Sequence, residues 1–392
     1  MEKDILMMAG VSAFQSPRRI IFGNGAVSEA GKEVRKLGAK KALIVTDQGV
    51  IKAGLVSGVE ESLKTQKIDY GIFAKVEAEP PARIVDECAQ VVQEKGYDVI
   101  IGIGGGSSLD VAKGASVMAT NKGKILDYSG TDMVPRSGLP KILLPTTAGT
   151  GSEVTRIIVV TDEAEKIKKA LRSDFFLADV AIVDPLLTLS MPPLVTADTG
   201  MDALVHAIEA YVSLEATPFS DALAIEAIQL IAESLPAAYA KANNMEARFN
   251  MSLGATLAGA AFNNGGLGAA HALSNALGVE FHLTHGRSNA VMLPYVVDYN
   301  KIGNLKKYAC IAQAMGENIE GLSAYQAAEK LVTCLNRLLA LLNIPNKLSA
   351  YGVSRKDIPK LVEGGLKRST LFIPNPRDLT EEDVKNIYTS AL

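Results

Sequence analysis

The pattern of apolar residues changes at Asp184–Pro185, and this change constrains the fold more than any other feature of the sequence. Before it, short β-rich runs alternate with helical stretches, which predicts βαβ units around a mainly parallel sheet. The predicted strands are residues 41–46, 68–74, 97–103, 141–144, 157–161 and 180–183, and residues 49–63 are predicted to be one of the helices between them. After it, strand-like runs are scarce, and residues 222–233, 245–261 and 324–342 carry apolar residues at helical spacing.

The length of the chain supports a division at the same place. With 392 residues, the chain exceeds the size at which one hydrophobic core usually suffices. We therefore expect an α/β domain in residues 1–188 and an all-helical domain in residues 189–392.

The composition excludes several classes of function. Hydrophobic residues make up 48% of the chain, charged residues 21%, and the net charge of -3 provides no basic surface for nucleic acid. No apolar run is long enough to span a membrane, and the first eight residues lack the pattern of a secretory signal. Cys88, Cys310 and Cys334 are widely spaced, which favours a reducing compartment. We expect a cytoplasmic protein without a nucleic-acid or membrane partner.

Three glycines follow the apolar strand predicted at residues 97–103 and precede a predicted helix. Glycines allow a ligand to approach the backbone closely, and the start of a helix offers free N–H groups to a phosphate. Ser107 is the expected N-cap of this helix, and Asp110 falls in its first turn. The candidate phosphate-binding residues are Gly104, Gly105, Gly106, Ser107 and Asp110. A tight turn before a capped helix remains the alternative.

Two further segments suit recognition of a nucleotide. Asp47 comes directly after a predicted strand, where an acidic side chain can accept hydrogen bonds from ribose hydroxyls, although aspartate is also common in turns. Residues 145–155 are rich in glycine and hydroxyl side chains, which suits polar recognition of a sugar, an amide or a phosphate.

All four histidines lie in the second half of the chain, at positions 206, 271, 282 and 285. Asp202 precedes His206 by four residues, which puts both on one helix face, as a metal-binding pair or as a helix ion pair. His271 and His285 would lie about 21 Å apart in one straight helix. Gly278 is expected to end the first helix, so that His285 can fold back towards His271. His282 is a competing ligand.

These residues closely resemble the iron-dependent (group III) alcohol dehydrogenase family. The resemblance runs nearly end to end, from residues 21–26 to Asn375–Arg377. Its motifs are G-G-G-S-x-x-D-x-A-K at 104–113, P-T-T-A-G-T-G-S-E-V-T at 145–155 and T-G-M-D-A-L-x-H-A-I-E-A-Y at 199–211. The resemblance implies an N-terminal α/β domain with a Rossmann-like parallel sheet and an all-α C-terminal domain, a fold of the dehydroquinate synthase type. Its site lies in the cleft between the domains.

The resemblance also implies the residues of that site. The four ligands of a divalent metal, with Fe²⁺ expected before Zn²⁺, match Asp202, His206, His271 and His285. The glycine loop, residues 104–107, matches the site of the cofactor pyrophosphate. Thr146, Thr147 and Thr150 match residues that line the cofactor, and Lys168 matches a lysine that contacts its ribose. An aspartate at position 47 implies a preference for NAD over NADP.

Three positions depart from the pattern of the family. Asn275 stands where many members carry a second histidine, and an amide can hydrogen-bond but cannot exchange protons near neutral pH. Thr284 replaces a usual proline. Arg287 replaces a small apolar residue and is either a contact for an anionic substrate or a partner in a salt bridge. Asn275 and Arg287 are therefore candidate substrate contacts.

The resulting functional prediction is hydride transfer between NAD(H) and a small primary alcohol or its aldehyde. Within the same fold, the alternatives are a polyol dehydrogenase of the glycerol or propanediol type, or a reductase of an anionic short-chain aldehyde held by Arg287. A non-catalytic NAD-binding module and a structural metal-binding protein are the alternatives from other classes. The resemblance further implies a homodimer or a larger homo-oligomer.

Overall fold

A computed structural model describes residues 11–165 and 167–392. The prediction about a secretory signal falls on residues outside this description. Strands occur only up to residue 183 in the described chain, and helices follow from residue 193, so the predicted fold class is confirmed. The division between residues 188 and 189 stays a prediction. None of the described helices combines the length and hydrophobicity that crossing a bilayer requires.

Nine strands form two sheets in the N-terminal part. They are β1 Arg19–Phe22, β2 Lys41–Asp47, β3 Asp69–Val76, β4 Val99–Gly104, β5 Gly130–Thr131, β6 Lys141–Pro145, β7 Ile157–Asp162, β8 Ile167–Arg172 and β9 Val180–Val183. The larger sheet has the order β1-β9-β6-β4-β2-β3 and is parallel throughout. The smaller sheet has the order β5-β8-β7, in which β7 and β8 are antiparallel.

Fourteen α-helices accompany these strands in the described chain. In the N-terminal part they are α1 Ala30–Lys36, α2 Gln48–Lys52, α3 Ser57–Thr65, α4 Ala82–Lys95 and α5 Gly106–Met118. The C-terminal helices are α6 Pro193–Val212, α7 Pro218–Ala240, α8 Met245–Gly265, α9 Ala269–Phe281, α10 His285–Asn300, α11 Leu305–Ala314, α12 Ala324–Leu341, α13 Ile358–Leu366 and α14 Glu381–Ala391.

The central strands are apolar throughout because both faces of the parallel sheet are covered. Alternate residues enter separate cores: Leu43 and Ile100 pack on one side, Ile44 and Ile101 on the other. Strands β2, β4 and β6 are neighbours, so their carboxyl ends meet at one edge of the sheet. Ligands bind at this edge in open α/β sheets.

Several local predictions were wrong. The helix expected over residues 49–63 is two helices, α2 and α3, separated at Gly54, whose φ of 74° is unfavourable for other residues. Helix α5 begins at Gly106 with Gly105 as its N-cap, so Ser107 is not the cap. Gly278 lies inside α9, which continues to Phe281. The lysine-rich pattern of β8 did not predict a strand, because that strand buries little of its surface.

A buried ion pair ties helix α5 to the segment that follows the hydroxyl-rich loop. Lys113 Nζ lies 3.2 Å from Asp110 Oδ1 and donates to the carbonyl oxygens of Ser152 and Ile157 at 2.9 and 2.6 Å. Asp110 accepts from Ser152 Oγ at 2.6 Å and from the Val159 amide at 2.9 Å. Both charges are thus satisfied inside the protein, and the aspartate and lysine of the G-G-G-S-x-x-D-x-A-K motif fix the position of the loop.

Small residues let the same loop contact the helical part of the chain. A Cβ atom on Gly151, whose φ is +61°, would lie 2.5 Å from the Cα of Gly259 in helix α8. Beside this contact, Thr256 Oγ1 donates to Glu153 Oε1 at 2.9 Å. The loop at residues 145–155 is therefore held between the large sheet and the C-terminal helices.

We expect Lys113→Met to lower the free energy of unfolding by about 3–5 kcal/mol, because the buried Asp110 carboxylate loses its counter-charge. Urea denaturation followed by circular dichroism measures this change. Lys385→Met is the matched control, since Lys385 makes an exposed ion pair on α14, and should change stability by less than about 0.5 kcal/mol. A Lys113→Met loss no larger than that of the control contradicts the role given to the ion pair.

Candidate metal centre and cofactor cleft

Three helices bring one aspartate and three histidines together. Asp202 and His206 lie one turn apart on α6, His271 is the third residue of α9, and His285 is the first residue of α10. Each offers one ligand atom, and these atoms all lie within 4.8 Å of one another. The Nε2 atoms of His206, His271 and His285 lie 3.9, 3.9 and 3.6 Å from a carboxylate oxygen of Asp202. The structure therefore brings all four predicted ligands together.

A sharp reversal between α9 and α10 closes this cluster. Helix α9 ends at Phe281, and His282 follows in the left-handed conformation with φ of 56°. Helix α10 then begins at His285, capped by Thr284, whose hydroxyl accepts from the Arg287 amide. His285 returns to His271, with 5.4 Å between the ring centroids. His282 is exposed and contributes no atom to the cluster, so the competing ligand is excluded from it.

The chemistry of the cluster fits a divalent cation. His271 Nε2, which lies 3.9 Å from Asp202, is buried without a hydrogen-bonding partner among the described residues. Burial lowers the pKa of His206 to about 4, so its imidazole is neutral at neutral pH and has a lone pair to offer. Burial raises the pKa of Asp202, but the three imidazoles and a hydrogen bond from Asn289 lower it more, which favours the carboxylate. Three nitrogens and one carboxylate suit Fe²⁺, Zn²⁺ or a similar ion.

Glu209 orients His271, a role that the sequence reading missed. Its Oε2 lies 2.6 Å from His271 Nδ1, and its Oε1 accepts from the Ala270 amide at 2.6 Å. Burial lowers the pKa of His271, yet Glu209 raises it above its usual value. The carboxylate holds the Nδ1 side of the ring, so Nε2 faces the cluster. The sequence did contain a signal for this role. Glu209 follows Asp202 by seven residues and His206 by three, a spacing that places all three on one helix face.

Two asparagines add to this support and were also missed. Asn289, one turn after His285, donates to Asp202 Oδ1 at 2.7 Å. Asn375 Oδ1 accepts from the Ala269 amide at 3.2 Å and from Asn300 Nδ2 at 2.8 Å. Asn375 and Glu209 thus satisfy successive amides at the start of α9, whose N-cap, Gly268, has no side chain to do so.

The predicted cofactor residues lie at the carboxyl ends of neighbouring strands. Gly104 pairs with Pro145, and the Thr146 amide donates to the Gly104 carbonyl at 2.9 Å. A Cβ atom on Gly105 would lie 3.6 Å from Thr147, and one on Gly106 would lie 2.9 Å from Thr150. The structure therefore brings the glycine loop and the three threonines into one group. Ser107 follows in the first turn of α5.

The other predicted cofactor residues have distinct surroundings. Asp47 caps α2 through the Val50 amide at 3.0 Å and accepts from Ser108 Oγ at 3.1 Å, which places it beside the glycine loop. Both carboxylate oxygens of Asp110 are occupied by contacts inside the protein. These contacts favour a role in positioning the hydroxyl-rich loop over direct contact with a cofactor. Lys168 Nζ is paired with Glu79, and the positive charge of Lys168 contributes to lowering the pKa of His285, secondary to the effect of burial.

The two candidate substrate contacts, Asn275 and Arg287, differ in whether their side chains already have hydrogen-bonding partners. The side chain of Asn275, one helical turn after His271, makes no hydrogen bond to another described residue. Arg287 Nε donates to Asp198 Oδ1 at 2.7 Å, and both side chains are only 14% exposed. This geometry favours the salt bridge for Arg287, and its contact with a substrate stays a prediction.

The cluster has different surroundings at His206 and at His285. The Phe262 ring stacks on His206, with centroids 4.4 Å apart, and closes that side. The side chain of His285 is 47% exposed and opens towards Lys168 and the cofactor residues. A ligand that reaches the cluster thus meets an apolar ring on one side and polar groups on the other.

The chain resembles known proteins over nearly its full length. Residues 17–185 match the family model for iron-containing alcohol dehydrogenase, and residues 196–392 match the model for the C-terminal part of the Fe-containing alcohol dehydrogenase family. Long-chain-alcohol dehydrogenase 1 of Geobacillus thermodenitrificans is 43% identical over 385 residues, which cover 96% of this chain and 97% of that protein.

Solved structures agree with these matches. A crystal structure of 1,3-propanediol oxidoreductase superposes with a TM-score of 0.95 at 41% identity and covers 98% of this chain and 100% of the other. The sulfoacetaldehyde reductase of Bifidobacterium kashiwanohense, solved in complex with NAD⁺, superposes with a TM-score of 0.89 at 29% identity. The superposition covers 98% of this chain and 99% of that reductase.

We expect Glu209→Gln to weaken metal binding about 10- to 100-fold, because the amide orients His271 less firmly and lowers its basicity. Titration of the metal-free protein with Zn²⁺ in the presence of a competing chelator measures the affinity. Glu226→Gln, an exposed glutamate on α7, is the matched control and should leave the affinity unchanged. Equal affinities in the two variants would remove Glu209 from the metal centre.

Proposed function

This chain belongs to the iron-containing alcohol dehydrogenase family, whose members are oxidoreductases acting on alcohols, and we propose that its site transfers hydride between NAD(H) and a small primary alcohol or its aldehyde. The observation that carries the proposal is the cluster of Asp202, His206, His271 and His285 within 4.8 Å. Gly149 of the hydroxyl-rich loop packs against Thr199, three residues before Asp202, so the cofactor residues adjoin the cluster.

The four clustered side chains would hold the metal. A divalent cation in this position lowers the pKa of an alcohol oxygen and polarises the carbonyl of an aldehyde. Asp202 supplies the negative charge, and Glu209 and Asn289 keep the ligands in place through the hydrogen bonds given above. The family favours Fe²⁺, with Zn²⁺ as the second choice, and the donor set fits either ion.

The cofactor would lie along the carboxyl ends of β2, β4 and β6. Gly104, Gly105 and Gly106 allow the pyrophosphate to reach the amide groups at the start of α5. Thr146, Thr147 and Thr150 form the opposite wall, with Lys168 near its mouth. Asp47 can accept hydrogen bonds from ribose hydroxyls and repels a 2′-phosphate, which favours NAD(H) over NADP(H).

The remaining residues fix geometry and exclude water. Phe262 covers His206 and keeps solvent from that side of the cluster. Asn275 can hydrogen-bond to a ligand but cannot exchange protons near neutral pH, so we assign proton transfer to water or to the cofactor ribose. Proximity and the exclusion of water are therefore the main contributions of the protein to hydride transfer.

The assembly and location of the protein are part of the proposal. Strand β1 is the edge of the large sheet and carries an exposed Ile20, which supports a homodimer or a larger homo-oligomer. Cys88, Cys310 and Cys334 are free thiols, which supports a reducing compartment such as the cytoplasm.

Oxidation of NADH and NADPH by short neutral aldehydes, on protein loaded separately with Fe²⁺ and Zn²⁺, tests the function. We expect NADH to be used in strong preference to NADPH. His271→Ala should lower kcat/KM more than about 100-fold, because it removes a ligand as well as the group that Glu209 orients.

His282→Asn is the control for this variant. His282 is exposed and left-handed, and asparagine tolerates that conformation, so activity should be retained. Near-normal activity in His271→Ala would refute the site. Nucleotide binding without turnover of any aldehyde in the wild-type protein would favour a non-catalytic module instead.

A further inference from the structure

The hairpin of β7 and β8 has two different faces. Ile158, Val160 and Leu171 are buried in the core of the N-terminal part, against α5. Because side chains alternate along a strand, the intervening residues lie on the opposite face. On β7 these residues are Ile157, Val159 and Thr161, and on β8 they are Lys168, Ala170 and Arg172. Val159 and Ala170 remain exposed at the centre of this outer face.

The outer face of the hairpin is a wall of the cleft that contains the metal cluster. Ile157 and Leu267 both pack against the small apolar cluster that contains Phe262, and the Phe262 ring stacks on His206 with 4.4 Å between centroids. At the other end of the face, Lys168 influences His285 electrostatically. The wall therefore extends past the cluster, from His285 to the side covered by Phe262.

Arg172 lies at the Phe262 end of this wall. It is directly opposite Ile157 in the antiparallel register, and opposed residues share one face of the sheet. Burial and then the positive charge of Arg156 lower the pKa of Arg172, and Glu215 raises it. Arginine keeps its charge in such surroundings, so a cation stands at this end of the cleft.

The other cations near the hairpin have partners, including Arg368, which donates to the Lys168 carbonyl oxygen at 2.8 Å. Lys168 is paired with Glu79, Arg156 with Asp132 and Asp174, and Arg287 with Asp198. Arg172 differs from them: within the described residues, no carboxylate lies within 4 Å of its guanidinium, and its side chain donates no hydrogen bond. A half-buried guanidinium with five unused N–H donors is costly to leave unpaired.

We propose that Arg172 binds an anionic group at the far end of the substrate. This inference rests on the proposed function and narrows its substrate class. The substrate is a short-chain aldehyde or primary alcohol with a carboxylate or a similar planar or tetrahedral anion a few carbons from the reacting oxygen. The guanidinium fork matches such an anion with two parallel hydrogen bonds, and Ile157, Phe262 and Leu267 line the apolar path between the two ends.

Two aldehydes of similar size test the proposal. Pentanal and 4-oxobutanoate carry the same reacting group, but only the second ends in a carboxylate. With NADH and the iron-loaded protein, we expect a higher kcat/KM for 4-oxobutanoate. Arg172→Gln should lower that value about 10- to 100-fold, mainly through a higher KM, because a hydrogen-bonded ion pair to the tail is lost. The kcat/KM for pentanal should change by less than about threefold.

Three further variants separate this role from a structural one. Arg172→Lys should restore part of the preference for 4-oxobutanoate, since it keeps the charge but not the two parallel hydrogen bonds. Arg355→Gln, at an exposed position in a short 3-10 helix, is the control and should leave the kcat/KM of both substrates unchanged. Arg287→Gln should leave the ratio of the two kcat/KM values unchanged, because Arg287 is engaged by Asp198.

The outcomes for the inference and for the proposed function are distinct. If pentanal is reduced but Arg172→Gln does not change the ratio of the two kcat/KM values, the anion site is overturned. The proposed dehydrogenase activity remains in that case. If Arg287→Gln removes the preference for 4-oxobutanoate over pentanal and Arg172→Gln does not, Arg287 binds the anion and the assignment to Arg172 is wrong. If neither aldehyde is reduced by the wild-type protein with either metal, the proposed function fails, and the inference fails with it.

Discussion

The hydrogen bond between Glu209 and His271 joins helix α6 to helix α9, and the geometry of the metal cluster depends on it. One face of α6 carries Asp202, His206 and Glu209, so this helix supplies two ligands together with the carboxylate that orients a third. Glu209 also accepts from the Ala270 amide, which fixes the start of α9. Loss of either partner would leave the buried Glu209 carboxylate incompletely satisfied, which is costly.

The N-terminal part is held against the cluster, as a reaction between a bound cofactor and a metal-bound substrate would require. The contact of Gly151 with Gly259 is close enough to exclude any larger side chain, and the Asp110–Lys113 pair fixes the loop that makes it. The β7–β8 hairpin then forms the adjoining wall of the cleft. Since one face of this hairpin belongs to the core, the other face presents Lys168 and Arg172 in a fixed register. The residue that we propose for substrate selection and the one that we propose for cofactor contact therefore lie on one strand.

The sequence predicted the features that depend on neighbouring residues in the chain, namely the buried strands and the residues of the proposed metal site. Uninterrupted apolar runs identify the buried strands, since both faces of the parallel sheet are covered. Three of the four proposed ligands are histidines, of which the chain has only four, and the fourth, Asp202, lies in a recognisable motif. Strand β8 was not predicted, because its pattern is polar and its stability comes from pairing with β7. Glu209, Asn289 and Asn375 act through contacts between distant segments, which spacing along one helix can only suggest. The partner of Arg287, 89 residues away, could not be read from its neighbours.

The most direct test of the account is the position of the metal itself. Crystals of the iron-loaded protein, measured on both sides of the iron absorption edge, give an anomalous difference map that locates iron independently of the protein coordinates. We predict one peak within bonding distance of Asp202, His206, His271 and His285, at the end of the cleft bounded by Phe262 and Lys168. A peak elsewhere, or a peak without one of these four side chains as a ligand, would contradict the account.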